Sequence, residues 1–227
     1  MHERIAVIDG LRSPMGKMGG RLAHLSADRL GAMVVRELLA RNSDLKGLIS
    51  EVIIGNVSQP ADAANIARVI ALRAGVDKSV PAFTVHRNCA SGFESITSAA
   101  CRIVAGEADI VLAGGVESMS NIPFFFSPEY KAFLEQLARC RTNSARLKQL
   151  LKFKLKFLKP TIGLKLGLTD PVCGLIMGDT AELIAREHGI TRQMQDEFAN
   201  NSHAKAQKAM ESGIFAEEIC SLVDNPE

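Results

Sequence analysis

Apolar residues in the first 120 positions alternate between two spacings. Ile5-Ala6-Val7-Ile8 is a short unbroken apolar run closed by Asp9-Gly10, a strand signature. After Ser26, residues Leu30, Met33, Val34, Leu38 and Leu39 fall three and four apart. That spacing predicts a helix begun at the serine, with Asp28 in its first turn. Residues 51–55 return to strand, and Ile66, Val69, Ile70 and Ala74 line one helical face within 65–74. A third strand follows at 82–85, a helix at 90–105, and a fourth strand at 110–113 ending in Gly114-Gly115. Four strand–helix alternations predict an α/β layer with a mixed, mostly parallel sheet.

The pattern changes after Ser120. Phe124, Phe125, Phe126 and Tyr130 lead into a segment, Lys131 to Lys165, with ten Lys or Arg and one acid, Glu135. Leucines and phenylalanines interleave with these bases, and over Lys152 to Phe157 they alternate with period two, as in a strand with one basic and one apolar face. Ordinary amphipathic helices resume over 179–187 and 192–212. The expected organisation is a half-domain over 1–120 and a helical loop domain over 121–227, the latter holding the basic insertion 131–165.

Composition narrows the class. The 227 residues are 47% hydrophobic and 23% charged, with a net charge of +2, which describes a soluble globular protein with no global bias toward nucleic acid. The five cysteines are odd in number and widely spaced, with no CxxC pair. A disulfide framework or zinc site is therefore not expected, and a reducing compartment is. No leader pattern opens the chain, and no apolar stretch approaches the roughly 18 residues needed to span a bilayer. Cytoplasm is the expected location, with the mitochondrial matrix as the alternative.

Cys89 stands where the third strand gives way to the next helix. Ser91, Gly92, Ser95, Ser98, Ala99 and Ala100 keep that helix small-sided, while Phe93, Ile96, Ile103 and Val104 make it apolar. With only Glu94 and Arg102 charged, the helix is expected to be buried on most faces. A cysteine at a helix start meets unpaired backbone N–H groups and the positive end of the dipole, which stabilise the reactive thiolate. The placement is similar to a nucleophile elbow. The competing reading is one more buried intracellular cysteine, because no base stands nearby. His86 reads as a packing or hydrogen-bonding residue, and Cys101, Cys140, Cys173 and Cys220 read as structural.

The segments around these residues resemble the thiolase family. Val85-His86-Arg87-Asn88-Cys89-Ala90-Ser91-Gly92-Phe93 looks like the stretch around that family's acyl-accepting cysteine. Ala113-Gly114-Gly115-Val116-Glu117-Ser118-Met119-Ser120-Asn121-Ile122-Pro123 resembles a second family segment, Met177-Gly178-Asp179-Thr180-Ala181-Glu182 with Gly189-Ile190-Thr191-Arg192-Gln193 and Ser202-His203 resembles its loop domain, and the opening Ile8-Asp9-Gly10-Leu11-Arg12-Ser13-Pro14 is similar too. The resemblance implies one half of a duplicated layered α/β/α architecture, with Cys89 carrying an acyl thioester and Met177 lining the acyl or pantetheine end of the substrate. The family often has His where this chain has Ile176, and Asn where it has His86. The implied reaction is thiolysis of a 3-ketoacyl-CoA to acetyl-CoA and a shortened acyl-CoA, or the reverse condensation. Coenzyme A is a co-substrate, and no cofactor or metal is implied.

The family's remaining catalytic groups, a His in a Gly-His-Pro turn, an Asn and a second Cys, are expected in a C-terminal half. This chain, stopping at Asp224-Asn225-Pro226-Glu227, reads as an N-terminal part. The basic insertion resembles one in the thiolase subunits of fatty-acid oxidation complexes. Its expected partners are a membrane surface or a subunit of such a complex, with a homo-oligomer for the whole protein and no nucleic acid. Two other readings stay open: a related condensing enzyme of the ketoacyl synthase type, and a non-catalytic thiolase-like subunit that binds acyl-CoA or lipid.

Overall fold

The computed structural model describes residues 5–222, so the expected chain end at Asp224–Glu227 lies outside the described residues. Contacts divide the chain into two compact units. One holds the residues up to Asn121 together with those from Ala199 onward, and the other runs from Ile122 to Phe198.

In the first unit, α1 (Ala27–Arg41) starts after an extended Ser26, whose carbonyl accepts from Leu30 N–H while its hydroxyl makes no cap bond. β1 (Glu51–Gly55) leads to α2 (Ile66–Ala74), which Asn65 caps through its side-chain oxygen on Arg68 N–H and Gly75 ends at φ 82°. β2 (Ala82–Val85), α3 (Ser91–Val104) and β3 (Val111–Gly115) complete the layer. The sheet is parallel throughout, in the order β2-β1-β3, with Ile53 level with Phe83 on one side and Ala113 on the other.

Because the chain steps from β1 to β2 and then back across β1 to β3, right-handed crossovers put α2 and α3 on opposite faces. Strand alternation divides the side chains accordingly. Val52 and Ile54 join Leu39, Ile66, Ile70 and Leu112 in the main core, while Ile53 and Gly55 turn toward α3. Full burial of a side chain such as Ile66 or Ile70 contributes roughly 1.5–3 kcal/mol.

The run Ile5 to Ile8 is not a strand, and Val7 is 85% exposed. An apolar run becomes a strand only where a neighbour takes its backbone N–H and C=O groups. No described residue does so here. Asp9 ties the opening segment to α1 by accepting from Asn42 Nδ2 at 2.6 Å, and the first backbone pairing comes at Arg12, whose N–H donates to Glu218 O at 2.9 Å and whose carbonyl accepts from Cys220 N–H at 3.0 Å. The Arg12 guanidinium also lies over the Phe215 ring.

The second unit is mostly helical. A two-residue antiparallel pair, β4 (Phe124–Phe125) with β5 (Thr161–Ile162), brackets α4 (Pro128–Arg139) and α5 (Asn143–Leu150). Ser127 and Thr142 cap these two helices with their hydroxyl oxygens. α6 (Gly163–Gly167) and α7 (Met177–Glu187) follow, and α8 (Arg192–Glu211) contains the division at Phe198.

The period-two stretch from Lys152 to Phe157 is a turn and a 3-10 helix over Leu155–Leu158, not a strand. In a strand, Phe153, Leu155 and Phe157 would share one face. Here Phe153 and Phe157 enter an aromatic cluster with Tyr130 and Phe133, at centroid separations of 5.5 to 6.5 Å, and Leu155 is 81% exposed. Each such ring pair adds about 0.5–1.5 kcal/mol beyond its area, which favours the helical spacing.

Tyr130 is the only tyrosine and the chain has no tryptophan, so its signal reports on this cluster alone. Phe157→Ala should remove about 3–5 kcal/mol from the urea stability read by Tyr130 fluorescence. An unshifted midpoint would show that the rings do not hold this unit together.

Candidate active site

The strand order β2-β1-β3 puts a topological switch point between β1 and β3, the place where open parallel sheets form a crevice at the carboxyl ends of their strands. Here the crevice is floored by backbone. A Cβ on Gly55 would lie 2.2 Å from Ser91 O and 2.7 Å from Gly92 N, and one on Gly115 would lie 2.8 Å from Gly92 Cα. The first turn of α3 therefore rests directly on the ends of β1 and β3, which only glycine at 55 and 115 permits.

The turn from His86 to Ala90 carries the chain from β2 into that helix. Asn88 sits at φ 46°, the left-handed region that asparagine tolerates better than most residues. Ala90 N–H donates to Arg87 O and Ser91 N–H to Asn88 O, both at 3.0 Å. Ser91, buried, locks the same turn through its hydroxyl, which accepts from Arg87 N–H at 2.8 Å and donates to Asn88 O at 2.7 Å. Cys89 is left at the tip, reduced and exposed, one residue before the Ala90 N-cap. Glu94 in the first turn would repel a thiolate there, but Arg87 Nε lies 2.7 Å from its carboxylate and offsets that charge. His86 is exposed, and its Nδ1 accepts a long 3.4 Å bond from Asn88 N–H.

A second polar group lies at the same strand ends. Asn56 is 1% exposed, donates from Nδ2 to Val116 O at 2.8 Å, and receives no hydrogen bond at Oδ1 from any described residue. Such an unmet buried acceptor costs about 1–3 kcal/mol. Glu117 accepts from Val57 N–H at 2.9 Å and Ser58 N–H at 3.3 Å, and lies 3.4 Å from Asn56 Nδ2.

Met177 belongs to the second unit, where it is the first residue of α7 and 49% exposed. Its N–H donates to Leu168 O at 3.0 Å, closing a short hairpin in which Thr169 bridges Ile176. Asp170 holds the hairpin's bend by accepting from Cys173 N–H and Val172 N–H, which lowers its carboxyl below the usual range. That support is complete above the ordinary carboxylate pKa and is lost as pH falls through the lowered one.

All five cysteines are free. Cys101 and Cys173 are exposed rather than packed, whereas Cys220 is buried and its thiol is pushed up by desolvation. Among the described residues no group of three or more His, Cys, Asp or Glu is placed to hold a metal.

The expectation that α3 is buried on most faces does not hold. Ser91, Ser95 and Ala99 are buried against the sheet, while Phe93, Ile96 and Val104 are exposed. Small residues four apart mark the side that meets the strand ends closely, and the larger apolar side has no cover among the described residues. The glycine floor, the Asn88 conformation and the Asn56–Glu117 contact were not predicted. Signals existed for the first two: glycines ending two strands, and an asparagine just before a helix-start cysteine.

Comparison with known proteins adds the family context. The family profile "Thiolase, N-terminal domain" matches residues 5–225. The 3-ketoacyl-CoA thiolase of Serratia proteamaculans is 39% identical over 224 residues, covering 99% of this chain and 51% of that protein. The enzyme of the same name from Escherichia coli is 37% identical with the same coverage. Among solved structures, the Bacillus anthracis acetyl-CoA acetyltransferase superposes with a TM-score of 0.78 at 33% identity, over 96% of this chain and 50% of that one. The chain thus spans about half the length of the curated relatives it matches.

The glycine floor can be tested directly. Gly55→Ala would drive a methyl into backbone atoms that cannot move independently, so it should cost about 3 kcal/mol or more in urea unfolding of the first unit. A cost below about 0.5 kcal/mol would mean the helix start is not clamped.

Proposed function

This chain belongs to the thiolase family, and we propose that it acts in thiolytic acyl transfer with Cys89 as the acyl acceptor. The observation that carries the reading is the exposed cysteine at the tip of a locked strand-to-helix turn, over the carboxyl ends of the sheet. Its substrates are 3-ketoacyl-CoA and coenzyme A, in keeping with the names of the relatives.

In the cleavage direction the Cys89 thiolate attacks the 3-keto carbon, and a C–S bond forms. The bond between C2 and C3 breaks, and its electron pair goes to C2 as the enolate of acetyl-CoA, which a general acid protonates. A coenzyme A thiolate then attacks the thioester carbon, releasing the shortened acyl-CoA and restoring Cys89. The nucleophile is the part of this scheme that the described residues supply. Met177, half-exposed at the start of α7, would border the acyl or pantetheine chain. No resident cofactor is part of the scheme. The exposed apolar side of α3 supports packing against a second layered half, and a cytoplasmic homo-oligomer is the assembly we infer.

The fold alone would equally suit a ketoacyl synthase, but the extent of the thiolase match favours thiolysis. On iodoacetamide treatment Cys89 should react faster than Cys101 and Cys173, which are also exposed. Incubation with acetyl-CoA should add one hydroxylamine-labile acetyl group, mapped to Cys89 and absent in Cys89→Ala. Equal alkylation of the three thiols with no acetyl adduct would favour a non-catalytic acyl-CoA-binding subunit.

For the insertion 131–165 we propose contact with an anionic membrane surface or an acidic subunit of an oxidation complex. Within its unit, Leu151 and Leu155 are about four-fifths exposed beside Lys152, Lys154 and Lys156. No described helix is long and apolar enough to cross a membrane. Cosedimentation with anionic liposomes should fall steeply between about 0.1 and 1 M salt, and Lys152→Glu with Lys154→Glu and Lys156→Glu should abolish it. Leu151→Ser with Leu155→Ser should weaken binding at every salt concentration without unfolding the aromatic cluster. No sedimentation at low salt would leave the subunit contact as the remaining role.

A further inference from the structure

We propose that Glu117 is a positioning residue for Cys89, acting through Asn56 and the backbone of residues 55–58. The inference rests on the reading of Cys89 as acyl acceptor. Glu117 grips the segment after β1 by accepting from Val57 N–H and Ser58 N–H. Asn56 in that segment is bonded to both neighbouring strands. Its backbone N–H donates to Val85 O at 3.2 Å, and its Nδ2 donates to Val116 O at 2.8 Å. Val116 N–H in turn donates to Gly55 O at 3.0 Å. These bonds form a cross-tie over the ends of all three strands, at the level where the Cys89 turn leaves β2.

Two geometric facts connect the tie to the thiol. Gly55, the residue before Asn56, is the floor on which Ser91 rests, and Ser91 is the residue whose hydroxyl locks Arg87 and Asn88. Movement of 55–58 is therefore transmitted by hard contact into the turn that presents Cys89. Asn56 is also an uneconomical choice for stability alone. It is buried with one acceptor unmet, where an apolar residue of similar size would leave nothing unpaired. A hydrogen-bonding residue at this position fits a role in registering the three strand ends, with the Glu117 carboxylate holding the segment in place.

The test uses the full chain and iodoacetamide, with initial alkylation rates at Cys89 and Cys101 read by peptide mass spectrometry. Cys101 is exposed on the same helix and serves as the internal control. Glu117→Ala should lower the Cys89-to-Cys101 rate ratio by roughly twofold to fivefold, the range set by misaligning a charge on a helix N-terminus. The Cys101 rate and the far-ultraviolet circular dichroism should stay unchanged. Glu117→Gln, which keeps one acceptor oxygen, should recover part of the ratio. An unchanged ratio in a folded alanine variant, or both rates moving together, would overturn the inference. If the alanine variant does not fold, Glu117→Gln decides: a fall of about twofold or more supports the inference, and the wild-type ratio overturns it. Should Cys89 in the unmodified chain react no faster than Cys101, the acyl-acceptor reading fails and the positioning role fails with it. A fast Cys89 in every variant overturns the positioning role alone.

Discussion

Everything at the candidate site depends on one close approach of backbone to backbone. The first turn of α3 lies against the ends of β1 and β3 at Gly55, Gly92 and Gly115, with no side chain between. A helix normally stands off from a sheet because the side chains of both layers separate their backbones. Removing that layer at one end lowers the helix start onto the strands. The backbone of its first turn is then fixed relative to the sheet, and so is the residue that precedes it. Cys89 inherits its position from this contact.

The polar arrangement follows from the same approach. A turn tight enough to enter such a helix needs a residue at positive φ, and Asn88 supplies it. The lowered helix leaves room for only a small, hydrogen-bonding residue beneath the turn, and Ser91 fits with its hydroxyl bonded in both directions. Arg87 and Glu94 then pair across the opening. The second unit is stabilised in a different way, by ring packing around Tyr130, and it shows how bases and apolar residues can alternate without forming a strand.

The legible parts of the sequence were those governed by local rules. β1, α2, β2, α3 and β3 each announced themselves by periodicity and punctuation, and Cys89 could be placed at a helix start from Val85 and the small residues after it. What stayed hidden required knowledge of what lies across space. Ile5 to Ile8 has strand composition, but composition does not provide a pairing neighbour. Phe153 and Phe157 read equally well with period two or with spacing four until Tyr130 and Phe133 are brought beside them. Gly55 meets Ser91, and Asn56 meets Glu117, only after the sheet is assembled, and neither pair has a signature within a window of a dozen residues. The apolar side of α3 was read as buried because hydrophobicity reports a preference for cover and not its presence.

The order β2-β1-β3 has a consequence for handling the molecule. Only the central strand pairs with a strand on both sides among the described residues, so β2 and β3 each keep an outer row of backbone donors and acceptors, of which Ala82 O is already taken by Asn65 Nδ2 at 2.9 Å. Both edges are short and poor in charge, with sequences Ala82-Phe83-Thr84-Val85 and Val111-Leu112-Ala113-Gly114-Gly115. They lack the lysines, prolines and bulges that ordinarily discourage strand addition. Strand addition at such rims is the pairing that an uncovered sheet border favours, in contrast to the filled core behind it.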